Sequence, residues 1–296
     1  MLKNKLIGTG VALITPFKTD GSVDFEALKK VVNHVVVGGV DYVAALGTTS
    51  ETSTLSQTER DAVVRTIVQE VDGRVPIIVG VGGNNTLECV EILETANFSG
   101  ISGVLSVVPY YNKPTQEGLF QHFSSLANAS PVPIILYNIP SRCGVNMTAD
   151  TTLHLANQHF NVIAIKEASG DMGQVKDIIQ RKSEDFLVIS GDDATALQMV
   201  EMGGSGVISV LGNALPVQVS TMVRTALNGN FTWAKKELAE IEHLIPLLFA
   251  EGNPAGIKTM ANMLGLCENE LRLPLVKCSD SLQSQIQTAF EPFTKR

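Results

Sequence analysis

The chain has 296 residues, 44% of them apolar and 18% charged, and a formal charge of −8 at neutral pH. That composition is ordinary for a globular enzyme with a sizeable core, in one large domain or two small ones. The acidic balance disfavours nucleic acid and anionic membranes as partners, so an anionic substrate needs a local cation.

The opening stretch Met1-Leu2-Lys3-Asn4-Lys5 and the apolar residues after it resemble a signal peptide only superficially. Pro16 and Phe17 end the run with no small-residue cleavage site, so it reads as a first strand. No stretch of about 18 apolar residues exists to span a membrane. Cys89, Cys143, Cys267 and Cys278 are scattered without a C-x-x-C pair, which predicts reduced thiols, no zinc knuckle and a cytoplasmic location.

In chain order, apolar runs rich in Val and Ile lie near 11–17, 41–47, 75–81, 103–108, 132–138, 162–168, 186–190 and 206–211. Amphipathic stretches of helical length follow them near 23–37, 56–72, 86–97, 115–128, 148–159, 172–184, 194–203 and 216–228. Ser56 with Glu59 three residues on is a capping box. The strands are continuous hydrophobic runs, as expected where helices cover a parallel sheet. Eight such units predict an α/β fold, a (β/α)8 TIM barrel over residues 1–230. An open doubly wound sheet is the alternative, but no G-x-G-x-x-G follows the first strand. The segments 231–251, 254–265 and 279–293, interrupted at Pro246 and Pro274, predict a C-terminal helical appendage over 231–296 that packs on the barrel and is a candidate oligomer interface.

Barrel chemistry comes from the C-terminal ends of strands and the loops after them. Those positions hold Thr48 and Thr49, Asn84, Tyr110 and Tyr111, Tyr137 with Arg142 beyond it, Lys166 and Asp192. Lys166 interrupts the run Val162-Ile163-Ala164-Ile165. Burial lowers an amine's pKa and makes it a nucleophile; the alternatives are a pair with Glu167 or another carboxylate, or a side chain snorkelling to the mouth. Tyr137 ends Ile134-Ile135-Leu136 and is either a proton donor and acceptor or a core tyrosine. Thr48 and Thr49 either pass a proton and hold a carboxylate or cap their loop. Arg142 offers a planar fork for a carboxylate, or is an exposed loop arginine. His34, His122, His154, His159 and His243 all fall in predicted helices, which disfavours a metal-dependent aldolase. No metal and no cofactor are expected, and without a G-x-x-x-x-G-K-[ST] loop neither is nucleotide chemistry.

The blocks Gly47-Thr48-Thr49-Ser50-Glu51, Pro109-Tyr110-Tyr111-Asn112-Lys113-Pro114, Tyr137-Asn138-Ile139-Pro140-Ser141-Arg142, Ile165-Lys166-Glu167-Ala168-Ser169, Ser190-Gly191-Asp192-Asp193 and Gly206-Val207-Ile208-Ser209 resemble, in order, those of the dihydrodipicolinate synthase and N-acetylneuraminate lyase family. The resemblance runs from about residue 8 to the end. Arg142 after Asn-Ile-Pro-Ser is similar to the synthase branch, since the sialate lyases lack that arginine.

The resemblance implies a lyase of the class I aldolase type that joins pyruvate to L-aspartate-4-semialdehyde through a Schiff base. That is the first committed step of lysine and diaminopimelate biosynthesis, giving 4-hydroxy-tetrahydrodipicolinate. It implies Lys166 as the imine-forming amine, Tyr137 linked through Thr48 to Tyr111 as the proton path, and Tyr111 reaching a neighbouring subunit's site. Thr49 would hold the pyruvate carboxylate, Arg142 the semialdehyde carboxylate, and Ile208 and Gly191 would line the substrate pocket. The assembly implied is a homo-oligomer, a tetramer built as a dimer of dimers. Ser50 departs from the family's usual Gly, and is expected to reposition the loop if φ is positive there.

In lysine-inhibited members the inhibitor binds at a dimer interface. Asn84, Glu88 and Tyr110 match three of those positions, with Thr52, Ser53, Gln57 and Arg60 as further candidates; Gln57 and Arg60 replace the histidines of the best-known inhibited members. Two rivals remain: an aldolase cleaving a sialate or 2-keto-3-deoxygluconate, against which Arg142 argues, and a non-catalytic keto-acid-binding barrel.

Overall fold

Eight strands, β1 (Gly8–Ala12), β2 (Tyr42–Ala45), β3 (Ile77–Gly80), β4 (Gly103–Val107), β5 (Ile134–Asn138), β6 (Val162–Glu167), β7 (Leu187–Ser190) and β8 (Gly206–Ser209), form a closed ring in sequence order in the computed structural model, which describes residues 2–294. Every pairing is parallel and β8 pairs back on β1, so the open-sheet alternative is excluded and the chain is a (β/α)8 barrel. Two shells of apolar side chains result. Ala12, Tyr42, Ala44, Ile78, Leu105, Ile135, Tyr137, Ile189 and Ile208 are part of the cluster that fills the barrel. The opposite strand faces join the helices in the larger outer cluster, as two-sided burial requires.

The covering helices start where side chains satisfy their free N–H groups. Asp24, Ser56, Asn85, Thr115, Thr148 and Asp171 each cap the helix that follows, and Ser56 with Glu59 closes the predicted capping box. Each cap contributes about 1 kcal/mol.

The first strand lies earlier than the 11–17 run predicts. Leu2–Lys5 is a helical turn and β1 begins at Gly8. Gly8-Thr9-Gly10 carries little hydrophobic signal, yet Gly10 is needed inside the barrel, because a Cβ there would lie 2.2 Å from the Tyr42 ring. Leu13, Ile14 and Phe17 extend the apolar run because they are buried beyond the strand end, with only the Leu13 N–H still donating to the Ala44 carbonyl of β2 at 3.0 Å.

The C-terminal region is helical over Phe231–Ile241, Ile245–Phe249, Ala255–Met263 and Asp280–Thr294. Pro246 sits in the first turn of its helix, where its missing N–H costs nothing, so it starts an element rather than breaking one. This region does more than cover a flank of the barrel. Asn253, Lys258 and Arg272 reach the loop after β2 with direct hydrogen bonds.

Among the described residues, no helix is long and apolar enough to cross a membrane.

Candidate active site

Lys166 stands opposite Tyr137 in the β5–β6 register and opposite Ile189 in the β6–β7 register. Neighbouring parallel strands in register point paired side chains the same way, so the amine and the tyrosine share one layer at the C-terminal end of the barrel. Lys166 Nζ lies 4.2 Å from the centroid of the Tyr137 ring. Both residues are 5% exposed. Gly191 leaves the room for this arrangement: a Cβ there would meet Ala168 Cβ at 2.6 Å and Lys166 Cε at 3.1 Å.

Burial pushes the Lys166 ammonium down to about 8; the Asp193 carboxylate opposes that shift and Arg142 adds to it. The Tyr137 hydroxyl is pushed up to about 12 by burial, against the pull of Thr48 and Arg142. An amine that loses its proton near pH 8 beside a phenol that keeps its own can serve as a nucleophile with a proton donor at hand. The alternative pairing of Lys166 with Glu167 is overturned. Glu167 faces the outer layer, where its carboxylate accepts from Asn138 Nδ2 at 3.0 and 3.2 Å, Gln174 Nε2 at 3.0 Å and the Ser169 N–H at 2.7 Å. Strict alternation along β6 explains this: adjacent residues face opposite sides.

The loop after β2 brings Thr48 and Thr49 to the same mouth. Thr48–Ser50 is a turn of 3-10 helix, flanked by Leu46 and Glu51 at φ 53° and 52°. Among the described residues, four of the five non-glycine positions with positive φ, Leu46, Glu51, Tyr111 and Lys113, lie in the loops after β2 and β4. Such positions cost about 1–3 kcal/mol each and persist where the surroundings hold them. Ser50 is not one of them. Its hydroxyl donates to the Leu13 carbonyl at 2.6 Å, so the expected repositioning at this departure from Gly does not arise. Thr49 is 2% exposed and its hydroxyl accepts from Asn253 Nδ2 at 3.0 Å.

Arg142 lies on the short helix Pro140–Cys143 directly after β5, and is exposed. Ile208 is fully buried at the inner face of β8. Tyr111 is not brought to its own chain's site. It is 88% exposed with φ 73° on the loop after β4.

The candidate inhibitor residues form two surface sets. Asn84 accepts from Asn112 Nδ2 at 2.9 Å, near Glu88 in its helix's first turn and Tyr110, 43% exposed. In the other set Arg60 Nη2 donates to the Thr52 carbonyl at 3.0 Å, Thr52 Oγ1 donates to the Gly47 carbonyl at 3.0 Å, Gln57 Nε2 donates to Asp61, and Ser53 is exposed. No hydrogen bond or ion pair joins the two sets among the described residues, so Arg60 does not neutralise Glu88.

Sequence reasoning missed several supports. Asp193 accepts from the Ser209 hydroxyl and from the Val210 and Leu211 N–H groups at 2.9 and 3.0 Å, which fixes the end of β8. Asn213 donates to the Ala12 carbonyl and accepts from the Ile14 N–H, closing the seam between the first and last strands. Asn253 presents its buried Oδ1 without a hydrogen-bond partner among the described residues. Their polar type inside apolar surroundings was the one available signal. Of the five histidines, His122 is buried, hydrogen-bonded through Nδ1 to Thr86, and burial holds its pKa down near about 4.

A model of the Dihydrodipicolinate synthetase family matches residues 5–292. The 4-hydroxy-tetrahydrodipicolinate synthase of Parabacteroides distasonis is 55% identical over 271 residues, covering 92% of this chain and 91% of that one. The crystal structure of dihydrodipicolinate synthase from Aquifex aeolicus superposes with a TM-score of 0.94 at 42% identity, over 97% of this chain and 98% of the other. The synthase from Cyanidioschyzon merolae, solved with lysine bound, superposes with a TM-score of 0.93 at 36% identity, over 97% and 98%.

Proposed function

The chain belongs to the dihydrodipicolinate synthetase family, and on that premise we propose that it condenses pyruvate with L-aspartate-4-semialdehyde to give 4-hydroxy-tetrahydrodipicolinate. It is a lyase-type enzyme. The observation that carries the finer reading is the Lys166 amine, buried at the strand ends in register with Tyr137, with its pKa drawn down to about 8.

Lys166 Nζ adds to C2 of pyruvate, and the carbinolamine loses water to form the protonated imine. The imine is an electron sink, so a proton leaves C3 and an enamine forms. Its C3 attacks the aldehyde carbon of the semialdehyde, whose oxygen takes a proton to become the product hydroxyl. The semialdehyde's amino group then adds to C2, and the ring closes as Lys166 leaves as the free amine. One water is lost overall.

Thr49 holds the pyruvate carboxylate, and Ile208 and Gly191 line the space around C2. Arg142, exposed at the mouth, receives the second carboxylate, in keeping with the acidic chain's need for a local cation. Tyr137 donates and recovers protons, relayed by Thr48. Tyr111 serves the site of a partner copy, so two copies are the least that complete a site, within a tetramer.

Asn84, Glu88 and Tyr110, with Thr52, Ser53, Gln57 and Arg60, are proposed to receive L-lysine where two copies meet; the relative solved with lysine bound supports this reading.

Incubation with pyruvate and borohydride, then peptide mass mapping, tests the chemistry. Reduction locks the imine as a secondary amine on Lys166. Labelling at another lysine, or none in active protein, defeats the mechanism.

A further inference from the structure

Glu51 and Lys258 form the one ion pair, among the described residues, in which both side chains are 0% exposed. The ammonium also donates to the Glu270 carbonyl at 2.8 Å and lies 4.1 Å from the Phe17 ring centroid. The second Glu51 oxygen accepts from the Arg272 N–H at 3.0 Å, and the Arg272 guanidinium lies 4.5 Å from the same ring centroid.

A buried ion pair costs desolvation on both partners, and apolar side chains of equal volume are often as stable. Its presence calls for a reason other than stability, and its location supplies one. Glu51 is the left-handed residue that ends the Thr48–Ser50 turn. Lys258 lies on the helix Ala255–Met263, outside the strand–helix repeat, and Asn253 just before that helix hydrogen-bonds Thr49. Two bonds from this one C-terminal segment therefore hold the middle of a three-residue turn and the residue that ends it.

We propose that Glu51 and Lys258 are positioning residues for the condensation: their pair clamps the turn so that Thr49 meets the pyruvate carboxylate and Thr48 meets the Tyr137 hydroxyl. This rests on the function proposed above. It makes the C-terminal region part of the catalytic apparatus.

The test uses the full-length protein in two forms, Glu51→Gln and the double variant Glu51→Gln/Lys258→Met. The amide keeps the volume of the carboxylate, and the double variant carries no uncompensated buried charge, so it reports even where the single change unfolds the chain. Borohydride trapping at Lys166 is titrated with pyruvate, and KM for each substrate is measured on folded protein. The half-saturating pyruvate concentration and the pyruvate KM are expected to rise at least about fivefold, with the semialdehyde KM changed less than about twofold. A purely structural pair lowers melting temperature and the active fraction but leaves both pyruvate constants at the wild-type values, and that result overturns the proposal. Wild-type protein that traps no pyruvate defeats the function itself, whereas trapping that is equal in wild type and variants defeats only the clamp.

Discussion

Lys166 Nζ lies 4.2 Å from the centroid of the Tyr137 ring, the two side chains standing side by side on paired positions of β5 and β6. The aromatic face and the barrel interior take the place of water around the amine, and the phenol hydroxyl belongs to the same layer. Because rigid strands hold both, little reorganisation is needed when a proton moves.

The rate of borohydride trapping should follow deprotonation of Lys166. Burial draws the amine from its usual 10.5 to about 8. Only the neutral form attacks, so the second-order trapping constant should rise about tenfold per pH unit below that value and level off above it. Measurement from pH 6 to 9.5 decides this, and a flat profile contradicts it. Lys166→Ala should lose trapping and turnover while keeping the wild-type circular dichroism.

Tyr137→Phe keeps the ring against Lys166 and removes only the hydroxyl. Turnover should fall by about 10²–10⁴, the usual worth of a positioned proton donor. Because the hydroxyl titrates near about 12, it stays protonated through the working range and should add no ionisation to the wild-type rate profile. A variant within about threefold of wild-type kcat removes Tyr137 from the chemistry.

Arg142→Ala should raise the semialdehyde KM by about 10–100-fold, about 1.4–2.8 kcal/mol. That is at the lower end of what truncating a buried charge partner costs, because this guanidinium is exposed. Pyruvate trapping should persist. Arg142 also helps lower the Lys166 pKa, so its loss should move the trapping profile to higher pH. Lost trapping with an unchanged semialdehyde KM would assign the arginine to the other substrate.

Acid should weaken the fold through His122. Its folded pKa, about 4, lies below the unfolded value of 6.5 because burial disfavours the charged ring. The unfolded chain therefore takes up more protons in this window, and stability present above pH 6.5 is lost as pH falls toward 4. Between pH 7 and 5 the loss should be about 2 kcal/mol. Urea unfolding at both pH values should show this for wild type and not for His122→Gln; equal losses in both proteins would acquit the histidine.

L-Lysine at millimolar concentration should inhibit partially. Glu88 is exposed and Arg60 is engaged with the Thr52 carbonyl, so the carboxylate remains available to a ligand ammonium. Glu88→Gln should abolish the effect without changing uninhibited turnover. Steady-state rates unaffected by lysine in the wild type would make these residues interface structure only.

Hydrophobic period and strand-end residue type are local properties, and the sequence alone therefore determined the barrel, its eight units and the placement of Thr48, Tyr137, Arg142 and Lys166 at the mouth. It could not locate β1, because Gly8 and Gly10 serve the strand by what they lack, and Asp41 and Tyr42, distant in sequence, supply the reasons. Alternation along one strand already sends Lys166 and Glu167 to opposite faces, but only the register decides which turns outward to Asn138 and which inward to Tyr137. The clamp on the Thr48–Ser50 turn was beyond it altogether. Glu51 and Lys258 are 207 residues apart, and a charge in a helical stretch looks solvated until the fold encloses it.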